Sequence, residues 1–464
     1  MAEEGRSGKK DTHLVRPPLL GFLPLEPFSG MKRNQMMTPG GLLSGLLVLS
    51  TMIIWLAHGP GSVRDPLIAG AKTCAFLAIS TLSVNYILAV RWSVLENLFG
   101  GLDRMYRVHK FIGRSSLVFM LLHPIFLGIS KLPDWETVLT YVIPIGPWEV
   151  AAGVVALYIF VLLIALTVAV RISYHLWHVS HKFLGIVLVL SLVHAVAAGS
   201  DLASYPLLRF WVILLSSAGL VSYIYMLILY KQVGPRYSTK VLKVRRIGNI
   251  TELYIERPEN FRFQPGQYIF LRFPRFEGLR ELFPFSLSND PSQDHLRVSI
   301  RGSGDFTSEM IPKVRKGDEV IIMGPYGKFG ERYLKHDRDM VWIAGGIGIT
   351  PFLSLAKHES MFPTGRRIDL VWVFRDPQDR GHDPELATEA RRNPDFDYVH
   401  WISSRKGRID ADAISDLVGG DHELRKRMIL MCGPPKMVYS LSRQLHRKGV
   451  SYRRMLFEDF NMLD

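Results

Sequence analysis

Six apolar runs crowd into the stretch from about Gly40 to Tyr230. They cover roughly 38–58, 67–90, 110–130, 149–170, 179–199 and 205–230. Each is long enough to cross a hydrocarbon core as a helix, where every backbone amide must find its partner within the segment. A water-soluble bundle would show a polar face on each helix, and GVVALYIFVLLIALTVAV (153–170) has none. The remainder of the 464-residue chain is charged and strand-like. The sequence therefore divides into a membrane half and a soluble half.

The loops set the direction of the spans. Lys32 and Arg33 precede the first span; Arg91, Arg104, Arg107, Lys110 and Arg114 lie between or just inside the second and third. Arg171 and Lys182 flank the loop after the fourth, and Lys231 and Arg236 follow the sixth. The opposite loops carry only Arg64 with Asp65, Lys131 with Asp134 and Glu136, and Asp201. Every basic cluster falls on one side, which also holds the soluble half. Both termini are expected in the cytoplasm of a multi-pass cell-membrane protein. The net charge of +14 is thus spent on the membrane surface, and no nucleic-acid partner is expected. Cys74 and Cys432 lie in unlike environments, so neither a disulfide nor a cysteine metal site is expected. Residues 1–36 lack the apolar core and cleavage site of a signal peptide and read as a surface tail.

Ionisable groups inside spans are costly, and by default mark function. Span three carries His109 and, fourteen residues on, His123; span five carries His181 and, thirteen residues on, His194. Both spans run in the same direction, and that spacing is close to four helical turns, or about 20 Å. Each helix then shows two imidazoles on nearly one face, at depths matched between helices. A lone histidine could serve as a hydrogen bond between helices. Four at two matched levels suit the axial ligation of two haem irons. No carboxylate accompanies them, against a zinc or di-iron site. Gly113 and Gly185, one turn from the inner ligands, are candidates for close porphyrin approach, with ordinary helix packing as the alternative. His175 and His178 read as solvated, and His58 has no assigned role.

From Arg236 short alternating strands are separated by turns, as in a small antiparallel barrel. From about residue 336 strands and helices alternate, as in a parallel α/β sheet that binds ligands at its carboxyl edge. Gly345-Gly346-Ile347-Gly348-Ile349-Thr350-Pro351 lies where a strand turns into a helix and suits a phosphate, as does Gly304-Asp305-Phe306-Thr307. The expected architecture is an α-helical six-span membrane bundle, an antiparallel β-barrel domain and an α/β nucleotide-binding domain. The expected units are a tail (1–36), a six-helix transmembrane haem domain (37–231), the barrel domain (236–335) and the α/β domain (336–464).

The soluble half resembles the ferredoxin–NADP reductase superfamily, and the chain from about residue 40 onward resembles the NADPH oxidase/ferric reductase family. The resemblance rests on FRFQPGQYIFL (261–271), Phe283-Pro284-Phe285-Ser286, GDFT (304–307), GPYGKF (324–329), GGIGITP (345–351), CGPP (432–435), Phe457-Glu458-Asp459-Phe460 and the two histidine pairs. It implies that Phe285 lies against the isoalloxazine and Ser286 reaches the flavin's reactive edge. It implies that Arg301, Gly304, Phe306 and Thr307 hold the FAD pyrophosphate. Gly345, Gly346, Gly348 and Pro351 would line the nicotinamide nucleotide site, with Cys432, Gly433 and Pro434 beside the nicotinamide ring. Phe460 would stack on the flavin and yield to nicotinamide. Two departures stand out: Phe283 replaces the polar residue usual before Pro-Phe-Ser, and Asn461-Met462-Leu463-Asp464 follows Phe460. Arg375 and Arg405 follow two strands of the α/β domain and suit an adenosine 2′-phosphate, which favours NADPH over NADH.

A hydride carries two electrons and a haem accepts one, so FAD must stand between them. The expected activity is electron transfer from NADPH or NADH through FAD and two b-type haems, from His109/His181 to His123/His194. The expected acceptor is small and external: dioxygen giving superoxide, with a ferric chelate, or a quinone or partner protein, as alternatives. No protein partner is evident in the sequence.

Overall fold

The computed structural model describes residues 38–58, 65–168, 174–198, 200–230, 234, 236–276, 282–302, 306–376 and 381–458. The tail, Gly304 and Phe460 lie outside the described residues, as do the side chains of His58, His175 and Phe306.

Among the described residues, six helices have the length and composition to cross a membrane. The spans comprise α1 (Pro39–His58), α2 (Pro66–Ile87), α4 (Leu102–Lys131), α5 (Trp148–Val168), the pair α6 (Tyr174–Lys182) and α7 (Leu184–Ala197), and α8 (Pro206–Ile224). The short α3 (Ser93–Phe99) lies between α2 and α4. Pro66 opens α2, where its missing amide costs nothing, and Asp65 caps it by accepting from Leu67 N at 2.8 Å. Leu46, Ile53, Leu162 and Phe210 stay exposed on the flanks of the bundle, as lipid-facing residues should. Between helices, hydroxyls pair: Ser80 donates to Thr51 (2.9 Å), Ser116 to Thr81 (2.9 Å), and the Trp211 indole to Thr51 (3.0 Å).

Two spans differ from the sequence expectation. The third begins at Leu102, well before the apolar run. The fifth is broken at Phe183, one residue past Lys182. The carbonyl freed there, on Lys182, accepts from Tyr223 Oη at 2.7 Å. A Cβ on Gly185 would lie only 2.1 Å from the Tyr223 ring. Gly185 is therefore bare to admit Tyr223, and a Cβ on Gly113 would meet Asn85 Nδ2 at 3.0 Å. The space beside both glycines is thus taken by side chains of neighbouring helices, in line with the helix-packing alternative.

The first sheet holds β1 (Arg236–Ile247), β2 (Ile250–Glu256), β3 (Tyr268–Arg272), β4 (Phe283–Ser286), β5 (His295–Arg301) and β6 (Glu319–Tyr326) in the order β4-β3-β6-β1-β2-β5, all antiparallel. A bridge between Leu287 and Val298 joins its two edges into a barrel. The second sheet is parallel, order β11-β10-β7-β8-β9, built from β7 (Met340–Gly345), β8 (Ile368–Phe374), β9 (Phe396–Ile402), β10 (Met428–Cys432) and β11 (Met455–Glu458). Helices α9 (Phe329–Lys335), α10 (Thr350–Met361), α11 (Asp383–Arg392) and α12 (Pro435–Arg447) connect its elements or precede it. The barrel and this sheet meet through polar contacts. Arg297 forks onto Glu385 at 3.0 and 2.6 Å, and Ser354 Oγ donates to Asn289 O at 2.7 Å.

One apolar cluster runs from the bundle into the barrel: Leu88, Phe99, Leu102, Met105 and Val108 pack with Tyr268, Phe270, Met323 and Tyr326. Arg91 sits inside this seam, its guanidinium 4.5 Å from the centre of the Phe270 ring, its Nε donating to Tyr106 Oη at 2.9 Å. Tyr230 and Tyr326 share a hydroxyl hydrogen bond of 3.0 Å, and Gly327 N donates to Glu96 Oε1 at 2.9 Å. Val108 belongs to this cluster, so the barrel seats on the end of the bundle that carries His109.

Candidate functional site

The four histidines come together in the two expected pairs. His109 on α4 faces His181 on α6 with ring centres 6.3 Å apart; His123 on α4 faces His194 on α7 at 6.2 Å. A metal–imidazole bond of about 2 Å, and about 1.1 Å from nitrogen to ring centre, puts two axial imidazoles on one metal about 6.3 Å apart. Both pairs fit that spacing. Among the described residues no group of three or more His, Cys, Asp or Glu is placed to hold a metal ion, so each pair stands alone.

Backbone carbonyls orient the rings. His109 Nδ1 lies 3.0 Å from Asn85 O, His123 Nδ1 2.9 Å from Ala71 O, and His194 Nδ1 2.7 Å from Glu149 O. A carbonyl only accepts, so each of these Nδ1 atoms carries the proton and leaves Nε2 unprotonated, able to bind a metal. Helix α2 serves both levels, through Asn85 and Ala71. The Asn85 carbonyl is available because the amide four residues on, Ala89 N, bonds Tyr86 O instead. Sequence reasoning missed these partners, since a carbonyl leaves no trace in residue identity.

Around His123 and His194 lies a cavity of about 340 Å³, lined also by Lys72, Met120, Gly153 and Ser191. A Cβ on Gly153 would fall 2.8 Å from His194 Nδ1. Gly153 thus leaves room for the His194 imidazole, a role the sequence reading did not give it. Lys72 is the only cation among the described residues of the lining. His178 is half-buried beside Trp177 rather than fully solvated.

In the soluble half the glycine turn follows β7 as expected. Gly346 adopts φ +55°, a left-handed conformation that favours glycine, close to Arg301 Nη1. Those two residues line a small crevice with Asn249, Ile250 and Trp372. A Cβ on Gly348 would meet Cys432 O at 2.4 Å, and one on Gly345 would meet Pro434 Cδ at 2.7 Å. Gly345, Gly348, Cys432, Gly433 and Pro434 therefore converge where β7 and β10 end, with Pro351 buried in the first turn of α10. Ser286 is buried at the end of β4, with Phe285 half-buried before it and Phe283 opening the strand. Thr307 lies in the helical turn that starts at Phe306. Arg375 and Arg405 are exposed beyond β8 and β9, and Ser404 N donates to Arg375 O at 3.2 Å.

A residue passed over in the sequence is Glu458, which aligns with Cys432 in the parallel ladder. Its carboxylate is buried, with the Phe329 amide as its one nearby donor among the described residues. Burial, then Asp103 and Glu96, pushes this carboxyl well above the usual range. Burial likewise raises Glu96, against the Gly327 amide. At the barrel–sheet seam, burial and then Arg297 and Arg245 lower His382 to about 4.

Three family models match successive parts of the chain. Residues 74–192 match the family described as ferric reductase like transmembrane component, residues 236–329 an FAD-binding domain, and residues 342–443 an oxidoreductase NAD-binding domain. The chain is a multi-pass membrane protein with FAD-binding and oxidoreductase NAD-binding domains. It is 27% identical to the reductase component of propane 2-monooxygenase from Rhodococcus jostii over 44% of this chain and 57% of that one. It is 29% identical to respiratory burst oxidase homolog protein A of Solanum tuberosum over 38% of this chain and 22% of that one. The chain thus spans little more than half of the first relative and about a fifth of the second. The Amycolatopsis cytochrome P450 reductase GcoB is 24% identical, with a TM-score of 0.43 over 49% of this chain and 71% of that one.

Proposed function

We propose that the chain transfers electrons from cytosolic NAD(P)H, by way of FAD and two b-type haems, to a small acceptor on the outer face of the cell membrane, dioxygen giving superoxide. The observation that carries this reading is the pair of imidazole spacings, 6.3 and 6.2 Å, at two depths of one bundle. His109 with His181 and His123 with His194 would hold the two irons through Nε2. When bound, FAD supplies the splitting of a hydride's electron pair into single electrons, and the haems carry them one at a time.

The protein's residues bind and orient. Phe285 and Ser286 would face the flavin, and Arg301 with Gly304, Phe306 and Thr307 its pyrophosphate. Gly345, Gly346, Gly348 and Pro351 would let the nicotinamide nucleotide approach the backbone, with Cys432, Gly433 and Pro434 beside its ring and Phe460 as the displaced aromatic. Arg375 and Arg405, tethered by Ser404, would take a 2′-phosphate, which favours NADPH. The barrel seats on the bundle end holding Arg91, Arg104 and Arg107, and the positive-inside rule makes that end cytoplasmic, with both termini. Outward electron flow then follows a membrane potential that is negative inside, by about 2.3 kcal/mol per electron per 100 mV.

Lys72 in the outer cavity favours a second reading, a ferric chelate bearing negative charge. Purified protein loaded with FAD and supplied with NADPH separates the two. Reduction of a dye that superoxide dismutase suppresses supports dioxygen. Reduction that requires ferric citrate and ignores the dismutase supports the chelate. Flavin reduction with neither would sink both.

A further inference from the structure

Three of the four imidazoles are fixed by Nδ1–carbonyl hydrogen bonds, and the fourth is not. His181 Nδ1 is buried without a hydrogen-bond partner among the described residues. The helix that carries it stops one residue later, at Lys182, so continuous helix on the far side does not stiffen the ring either. What lies against it is Trp177, one turn earlier on α6: the two rings stack with centres 5.1 Å apart and planes 25° from parallel. Residues four apart on a helix share a face, so this contact is built into the sequence spacing.

We propose that Trp177 is the positioning residue of the inner histidine pair: its indole holds the His181 plane by stacking, in place of the carbonyl that holds the other three rings. This rests on His181 being a haem ligand, as proposed above. A hydrogen bond from Nδ1 makes an imidazole the stronger donor to a metal and fixes its tautomer. A stacked ring is fixed in orientation but gains no such donor strength. The two levels are therefore inequivalent, with the weaker donor set at the inner one. An aromatic of another size at position 177 can still stack, whereas an aliphatic side chain cannot.

The test uses the full chain in lipid nanodiscs, as wild type, Trp177→Leu and Trp177→Phe, each also in a His194→Leu background that leaves only the inner pair intact. The readouts are haem per chain, low-temperature electron paramagnetic resonance of the oxidised protein, and redox titration of each haem. Trp177→Leu should shift the resonance and the midpoint potential of one haem only, and the same shift should persist in the His194→Leu background. Trp177→Phe should restore the wild-type signature, and flavin reduction by NADPH should be unchanged throughout. Wild-type signatures in Trp177→Leu, a shift confined to the haem lost with His194, or equal damage in the Leu and Phe variants would each overturn the assignment. Wild type without haem would instead overturn the ligation reading itself, so the two failures are distinguishable.

Discussion

The membrane half and the nucleotide half build their sites by opposite means. In the bundle, four side chains project into space between helices, and backbone carbonyls of Asn85, Ala71 and Glu149 turn three of them. In the α/β sheet, side chains withdraw: Gly345, Gly348 and Gly433 let strand ends approach to distances no Cβ would permit. The difference teaches where each half is fragile. Removing a side chain should disable the first, and adding one should disable the second.

The largest effect is expected from His194→Leu, which should remove the outer haem's absorbance and all transmembrane reduction while NADPH still reduces the flavin at the wild-type rate. Normal transmembrane activity in that variant would break the wiring. Gly153→Val should approach the same loss by crowding His194, which would show that the bundle too depends on a missing side chain.

Gly348→Val makes the converse test. A side chain there runs into Cys432 O, and overpacking of this kind costs about 1–3 kcal/mol. NADPH affinity, measured by titrating flavin reduction, should fall about tenfold or more while haem content stays at the wild-type level. Arg91→Met acts at the seam between the halves. It loses the cation–π contact with Phe270 and the bond to Tyr106, about 0.5–2 kcal/mol for the former. Stopped-flow traces should show normal flavin reduction and slower haem reduction, by a few-fold.

The smallest effect concerns pH. Folding raises the Glu458 carboxyl, so the folded state holds that proton more tightly than the unfolded one. Stability is then greatest below the ordinary carboxyl range and falls as pH rises toward the raised value. Glu458→Gln should flatten that decline above the ordinary carboxyl range in a thermal-unfolding series, and an unchanged slope would remove Glu458 as its source.

The sequence exposed the parts with a strong period or a costly residue. Six spans were legible because lipid tolerates only long apolar helices, and the histidine pairs because four ionisable groups at matched depths defy chance. The barrel strands alternated clearly, and the GGIGITP turn stood where a strand meets a helix. Strands β4 and β11 were invisible: Phe283–Ser286 and Met455–Glu458 are four residues each, too short for a period. The break at Phe183 was hidden because apolar residues continue through it, and only the Tyr223 hydroxyl bound to Lys182 O reveals why it is tolerated. The sequence left the role of Gly185 open for the same reason, since its neighbour Tyr223 is remote in sequence.

One titration reaches the centre of this account. Purified full-length protein, reconstituted with haem and assayed by the pyridine haemochrome method, should contain two haems per chain. Both should be low-spin, and one should be lost in each of His123→Leu and His181→Leu. A stoichiometry of one or none, or a high-spin signal at either level, would contradict it.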